Sequence, residues 1–184
     1  MAPFLEILTR TFNARPRMFA AHRASLAAQT DQDFVHTPLV VEAGRGIGYA
    51  TEQMARYAPN LVGDYIFVLD DDDLLTLPAF VAGLKEIAIL YAPDVIMVRM
   101  DHGAGRILPS DRWGKSPRVS EIGISAFVVR RDVWQAHAGA MIPGKYTSDF
   151  EFISSIWRDR PAVYWWDVVA SRVQRQSEGR PEAA

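Results

Sequence analysis

Short apolar runs alternate along the chain with segments whose apolar residues recur at helical spacing. The apolar runs predict six strands, at residues 4–12, 35–42, 65–69, 94–99, 124–130 and 163–168. The segments between them predict helices at residues 16–29, 49–57, 77–91, 132–137 and 149–157. Pro38 weakens the prediction for the first half of the second strand. The alternation predicts an α/β fold, with a mostly parallel central sheet flanked by helices.

Length and composition narrow the class of protein. The chain has 184 residues, of which 49% are hydrophobic, enough for one domain with a core. We expect this domain to cover residues 1–173 and residues 174–184 to form a polar, frayed tail. The formal net charge of -2 argues against a nucleic-acid partner, and the lack of cysteine excludes disulfides and thiolate metal sites. Because no signal-peptide pattern or membrane-length apolar window is found, we expect a cytoplasmic protein without a transmembrane segment.

The stretch at residues 65–75, YIFVLDDDDLL, places four carboxylates directly after five apolar residues. Like charges this close raise one another's pKa and oppose folding unless something neutralises them. In α/β sheets, ligands collect at the carboxyl ends of the strands, where this run falls. If the backbone stays extended, Asp70 and Asp72 face one side and Asp71 and Asp73 the other. Two interpretations stay open: one pair binds Mg²⁺ or Mn²⁺, or the run is a solvated turn.

Two other known motifs also contain closely spaced carboxylates like those of the run. A calcium-binding EF-hand loop counted from Asp70 needs Gly at its sixth position and Glu at its twelfth, where this chain has Leu75 and Val81. That motif is excluded. Haloacid-dehalogenase-like phosphatases also place Asp-x-Asp after an apolar strand, but their motif usually opens the chain and continues with Thr or Val rather than Leu74. Such a phosphatase stays as an alternative function.

Three segments together resemble the family 2-type glycosyltransferases of the GT-A fold: ILTRTFNARP (residues 7–16), SLAAQT (25–30) and GDYIFVLDDDDLL (63–75). Weaker similarity extends to ISAFVVRRDVW (124–134) and YTSDFEFISSI (146–156). The resemblance implies a single GT-A-like nucleotide-sugar-binding domain. It further implies an enzyme that transfers a sugar from a nucleoside-diphosphate donor to a hydroxyl of a glycan or other acceptor. One departure is that the second strand lacks the family's usual Asp-Asp-Gly-Ser turn.

The resemblance also implies roles for individual residues on the donor side. Asp70-x-Asp72 stands where the family has its Asp-x-Asp motif, so Asp72 and Asp70 are the implied ligands of Mn²⁺ or Mg²⁺. Asp71 or Asp70 is expected near the donor ribose. The other residues implied to face the nucleotide are Thr9, Thr11, Glu42 and Arg45.

On the acceptor side, Asp149 matches the acid that serves the family as catalytic base in an inverting transfer. It follows Thr147 and Ser148 at a predicted helix start, where the helix dipole stabilises a carboxylate anion. The same position suits a residue that only begins the helix, so both interpretations stay open. Trp113, in a long polar loop, is a candidate for stacking on a sugar, since an apolar ring face matches the flat side of a pyranose. A non-catalytic nucleotide-sugar-binding protein is a second alternative function.

Overall fold

The strands of the protein form one sheet in the computed structural model, which describes residues 2–12, 14–42 and 45–174. Within these ranges the sheet has eight strands. They are β1 (Leu5–Thr11), β2 (Phe34–Val40), β3 (Tyr65–Val68), β4 (Asp73–Leu75), β5 (Val95–Asp101), β6 (Ile107–Leu108), β7 (Phe127–Arg130) and β8 (Val163–Val173). All six predicted strands are confirmed. The sequence did not predict β4 and β6, because strands of three and two residues are too short to show a hydrophobic period.

Five α-helices accompany the sheet in the described part of the chain, as the hydrophobic spacing predicts. They are α1 (Pro16–Ala27), α2 (Gly46–Tyr57), α3 (Phe80–Tyr91), α4 (Arg131–His137) and α5 (Ser148–Arg158). Pro16 begins α1, where its missing N–H has no helical partner to lose. None of the helices described is long and apolar enough to span a bilayer.

The strand order across the sheet is β2-β1-β3-β7-β5-β8-β4, and β6 pairs with the end of β5. The pairings make β1, β2, β3, β5 and β8 run in one direction, with β4, β6 and β7 opposed to them. The prediction of a mostly parallel sheet is therefore confirmed by strand direction. Pro38 lies in β2, an edge strand of this sheet, where the missing N–H breaks no interior ladder.

Helices cover both faces of the sheet and enclose two hydrophobic cores. On one face, α2, α4 and α5 bury Met54, Trp134 and Phe152 against the sheet. On the other face, the side chains of α1 and α3 include buried Leu26, Phe80 and Leu84. All four residues of β3 are buried, and they point alternately into the two cores. A strand with this double burial explains the unbroken apolar run that precedes the four aspartates.

The sheet curls so that β4, at one edge, lies against α1. The Oγ of Ser25 in α1 accepts a hydrogen bond from the backbone N–H of Leu75 at 3.1 Å. Gln174, just after β8, donates its backbone N–H to the carbonyl of Asp72 at 2.7 Å. The last described residue is thus attached to the acidic run. The rest of the tail predicted at residues 174–184 lies outside the described residues.

Candidate functional site

A pocket opens at the carboxyl ends of β1 and β3, beside the start of α2. This is the edge at which the sequence predicted a ligand site. The polar residues described at its lining are Arg10, Thr11, Arg15, Glu42, Asp70, Asp71 and Asp72.

The acidic run makes a turn instead of remaining extended. The N–H of Asp73 donates to the carbonyl of Asp70 at 2.9 Å, so Asp71 and Asp72 form the turn before β4 begins. The side chains still alternate in exposure. Asp71 and Asp73 are buried, whereas the side chains of Asp70 and Asp72 are 21% and 23% exposed at the pocket.

Arg10 neutralises the first aspartate of the run. Its Nε donates to Oδ1 of Asp70 at 2.7 Å and its Nη2 to Oδ2 at 2.5 Å, a bidentate ion pair. Its third nitrogen, Nη1, donates to the hydroxyl of Thr51 in α2 at 2.7 Å. Because β1 and α2 fix the guanidinium from both sides, Asp70 is held rigidly at the pocket.

Arg15 forms ion pairs with the next two aspartates of the run. Its Nη1 lies 2.5 Å from Oδ2 of Asp72 and 3.4 Å from Oδ1 of Asp71. The hydroxyl of Thr11 donates to the other oxygen of Asp71 at 2.9 Å. The sequence left two ways to offset the repulsion among the four adjacent charges, a bound cation or exposure to solvent. The structure adds a third, since two arginines of the chain itself form ion pairs with the run.

Burial shifts the charge of the remaining carboxyls. Removal from water raises the pKa of Asp71 to about 6, against the attraction of Arg15 and the hydrogen bond from Thr11. Burial raises the pKa of Asp73 well above its ordinary value, and Asp70 and Asp72 add to that rise. The hydroxyl of Ser125 lies 3.2 Å from Oδ2 of Asp73. Loss of solvent thus favours the protonated form of Asp71 and Asp73, which lowers the repulsion that the sequence implies.

A buried chain of hydrogen bonds, which includes Thr9, connects the end of the acidic run to α1 and β2. His22 Nδ1 lies 2.9 Å from the carbonyl of Asp73, and a carbonyl only accepts, so Nδ1 carries the proton. Burial lowers the pKa of His22, which leaves Nε2 of the neutral ring to accept from the Thr9 hydroxyl at 3.1 Å. The Thr9 oxygen in turn accepts from Nε2 of His36 at 3.0 Å. Thr9 is fully buried in this chain and is not among the described residues that line the pocket.

Because His36 in this group of hydrogen bonds can titrate, we expect the folded protein to lose stability in mild acid. Burial, together with the smaller effects of the charges on His22 and Arg23, lowers the pKa of His36 from its ordinary 6.5 to about 4. Between these values the unfolded chain binds a proton that the folded protein does not. The contribution of His36 to stability is therefore complete above pH 6.5 and declines as the pH falls toward 4.

We expect His36→Gln, which keeps a donor for Thr9 but does not titrate, to flatten this decline. The pKa shift of His36 sets an upper limit of about 3 kcal/mol on its pH-dependent contribution to the free energy of unfolding. Partial exposure of His36 reduces the expected contribution to about 1–2 kcal/mol. Urea unfolding of both proteins from pH 7 to pH 4.5 measures it. Parallel pH profiles for parent and variant would show that His36 is not the titrating group.

The start of α2 forms another wall of the pocket, and two glycines set its position. Gly46 lines the pocket with a φ of +73°, a conformation that glycine adopts without strain. A Cβ on Gly48 would lie 2.5 Å from the carbonyl oxygen of Gly144, so only a glycine permits this contact. The contact brings the loop that precedes α5 against α2. Asp149 follows from that loop.

Glu42 and Arg45, the two residues before α2 that were predicted to face the nucleotide, lie at the outer side of the pocket. Glu42 lines the pocket, and its side chain is 80% exposed. Arg45 lies 3.8 Å from the carboxylate of Glu42 and rests its guanidinium on the ring of Tyr49. Arg45 is not among the described lining residues, although it begins the same wall. Both side chains are more than half exposed to solvent.

Asp149 lies in the first turn of α5, one residue after the helix begins. Its Oδ1 accepts the N–H of Phe150 at 2.7 Å. Burial raises the pKa of Asp149, and this outweighs the lowering by that hydrogen bond and by the charge of Arg10. The sequence predicted that the helix dipole would stabilise the anion, but loss of solvent has the larger effect. Asp149 also interacts electrostatically with Asp70, although it is not among the described residues that line the pocket.

Trp113 lies away from this group, in the segment after β6. Arg99 places its guanidinium 4.2 Å from the centre of the Trp113 ring, and the Trp165 ring meets it edge-on at 5.0 Å. Trp113 is not among the described residues of the pocket lining. Its stacking on a sugar stays a prediction.

The sequence did not assign roles to Arg10 and Arg15, although both stand in the ILTRTFNARP segment. One signal was present. Arg10 puts a charge at the carboxyl end of an otherwise largely apolar strand, where the acidic run was expected to lie. Opposite charges at the same edge of a sheet indicate an ion pair.

Comparison with known proteins gives a match by structure alone. No protein-family model and no curated protein sequence matches the chain. The 1–349 fragment of S. aureus TarS in complex with UDP superimposes with a TM-score of 0.70 and 12% identity, over 94% of this chain and 60% of that chain. The Pyrobaculum calidifontis mannosyltransferase PcManGT, in complex with GDP-Man and Mn²⁺, gives a TM-score of 0.62 at 12% identity. That match covers 97% of this chain and 59% of the other.

A third similar structure, A197 from STIV, has a TM-score of 0.51 at 12% identity, and the match covers 96% of each chain. The chain thus spans about 60% of the length of the TarS fragment and of PcManGT, and nearly all of A197. At such low identity the likeness concerns the fold. It confirms the GT-A-like α/β fold that the sequence motifs implied.

Proposed function

We propose that the protein is a glycosyltransferase that moves a sugar from a nucleoside-diphosphate donor to an acceptor hydroxyl. The observation that carries the proposal is a GT-A-like fold whose pocket is lined by the acidic turn, together with a half-buried carboxyl, Asp149, that interacts electrostatically with Arg10 and Asp70 of that pocket. Similar structures support it, since TarS was solved with UDP and UDP-GlcNAc and PcManGT with GDP-Man. The donor nucleotide belongs between β1 and α2, where Thr11, Glu42 and Arg45 are the proposed nucleotide contacts.

Asp72 is the residue that best fits a divalent cation. Arg15 occupies only its Oδ2, and no hydrogen bond from the described residues reaches its Oδ1. Asp70 fits less well as a direct ligand, because Arg10 engages both of its oxygens. The described residues form no group of three or more acidic or histidine side chains that would cage an ion. We therefore propose Mn²⁺ or Mg²⁺ on Asp72, with Asp70 beside it and diphosphate oxygens completing the coordination.

The remaining chemistry falls to the residues of the chain. A bound cation would offset the charge that develops on the leaving diphosphate. In the proposed transfer the acceptor oxygen bonds to the anomeric carbon as the bond from that carbon to the diphosphate breaks. Asp149 takes the acceptor's proton, and its raised pKa makes it a stronger base than an exposed aspartate. Attack from the face opposite the leaving group makes the transfer inverting.

Two alternative functions are less well supported. A phosphatase of the haloacid-dehalogenase type would use Asp70 as its nucleophile, but both oxygens of Asp70 accept hydrogen bonds from Arg10. A non-catalytic nucleotide-sugar-binding protein has no need of a half-buried Asp149 whose pKa is raised near the charges of Arg10 and Asp70. Neither alternative explains the pocket as fully as sugar transfer does.

The experiment that tests the proposal is a thermal-shift panel with UDP, GDP, dTDP and CMP, each with and without Mn²⁺. A nucleotide bound only by the folded protein raises the melting temperature by mass action. We expect at least one nucleoside diphosphate to raise it, and to raise it further with Mn²⁺. No shift with any nucleotide would argue against the proposed function.

A separate prediction concerns the metal ligand. Because Asp72 offers few oxygens alone, Mn²⁺ should bind much more tightly once UDP or GDP is present. Asp72→Asn should remove this synergy, as calorimetry with and without nucleotide measures. Asp73→Asn is the matched control, because Asp73 is buried against Ser125 and away from the pocket. Equal synergy in both variants would show that Asp72 is not the ligand.

A further inference from the structure

Two arginines face the acidic run, Arg15 buried and Arg10 half-buried, and they differ in how many of their donor groups are used. All three nitrogens of Arg10 donate to protein acceptors on Asp70 and Thr51. Arg15 meets Asp71 and Asp72 through the same nitrogen, Nη1. Its Nε is buried and has no hydrogen-bond partner among the described residues.

An unpartnered donor in this position indicates a missing acceptor. Buried polar groups are almost always hydrogen-bonded, and an arginine offers a planar fork of donors that includes Nε. Arg15 is only 8% exposed, and it lines the pocket. The ring of Phe12, 4.6 Å from its guanidinium carbon, holds the plane of the fork. The fork is thus prepared for a ligand that enters the pocket with several acceptor oxygens.

We propose that Arg15 binds the diphosphate of the donor and changes partners when it does so. Before the donor binds, Arg15 neutralises Asp71 and Asp72. With the donor bound, its guanidinium donates to phosphate oxygens, as arginine forks do, and Asp72 becomes available to the cation. This inference rests on the proposed function and adds a residue that competes with the cation for Asp72.

The exchange has a consequence that a purely structural ion pair would not have. Removal of Arg15 takes away a diphosphate ligand and also the competitor for Asp72. The affinity for diphosphate should therefore fall, while the affinity for Mn²⁺ alone should rise. A residue that only stabilises the turn would not move the two affinities in opposite directions.

Calorimetry on Arg15→Gln tests this, with inorganic pyrophosphate, UDP, GDP and Mn²⁺ as separate probes. In metal-free buffer we expect pyrophosphate, and whichever nucleotide the parent binds, to bind roughly 10- to 100-fold more weakly. Mn²⁺ without nucleotide should bind several-fold more tightly, by about 3- to 10-fold, because a nearby positive charge is gone. Arg23→Gln is the control, since it removes the same charge from an exposed position of α1 and should leave all of these affinities within about twofold.

If Arg15→Gln does not fold, Arg15→Lys tests the inference in its place. Lysine keeps a cation for Asp72 but lacks Nε and the planar fork, so diphosphate affinity should still fall, by roughly 10-fold. Unchanged pyrophosphate and nucleotide affinity in a folded Arg15 variant would overturn the inference and leave the proposed function intact. If the parent binds neither pyrophosphate nor any nucleotide, the proposed function fails and the inference fails with it.

Discussion

Asp149→Asn is expected to lower turnover by roughly 10²- to 10⁴-fold, the usual loss when a general base is removed. Asparagine keeps the size of the side chain and its acceptor oxygen for the N–H of Phe150, so α5 should still form. The affinity for the donor nucleotide should barely change, because Asp149 is proposed to act on the acceptor. Steady-state kinetics with a nucleotide sugar, together with calorimetry of the nucleotide, measure the two effects.

The matched control is Glu151→Gln in the same helical turn. Glu151 meets Lys145 and Thr147 rather than Arg10, and it should keep turnover within a few-fold of the parent. If Asp149→Asn behaves like this control, Asp149 only begins the helix and the base lies elsewhere. If Asp149→Asn loses donor affinity together with turnover, the side chain acts on the donor instead.

The second large effect is on stability. Arg10→Met leaves Asp70 without its bidentate partner and Thr51 without its donor. Removing one member of a buried ion pair costs about 3–5 kcal/mol, and the partial exposure of Asp70 sets our expectation at the lower end. Urea unfolding at neutral pH measures the loss.

Two further variants show whether the unpaired charge is the cause. Arg45→Met removes an arginine whose side chain is 53% exposed, and surface pairs of this kind contribute less than about 1 kcal/mol. Arg10→Met combined with Asp70→Asn should recover part of the loss, because no uncompensated carboxylate remains. A double variant as unstable as the sum of its parts would show that packing, rather than charge, holds this site.

The sequence predicted most of the fold because the strands that build the sheet carry a clear hydrophobic signal. The run at 65–69 is covered on both faces, and such a strand shows no polar alternation to obscure it. The same reasoning did not find β4, which starts with Asp73, a residue type that disfavours strands. Pairing with β8 is what makes this segment a strand, and a tertiary contact of that kind leaves no local pattern.

The candidate site was predicted unevenly for the same physical reason. The acidic run stood out, since four adjacent charges are costly unless something compensates them. Its partners, Arg10 and Arg15, lie 60 and 57 residues away along the chain from Asp70 and Asp72. Only the pairing of β1 with β3 brings them together. The burial of Thr9 depends likewise on α1 and β2, whose histidines meet it from two sides.

The most direct test of the central claim is to incubate the protein with a panel of UDP-, GDP-, dTDP- and CMP-linked sugars and Mn²⁺, and to follow the products by mass spectrometry. We expect at least one donor to lose its sugar and release the intact nucleotide, at a rate at least a hundredfold lower in Asp149→Asn. Release of inorganic phosphate from a simple phosphate ester, with every nucleotide sugar left intact, would contradict it.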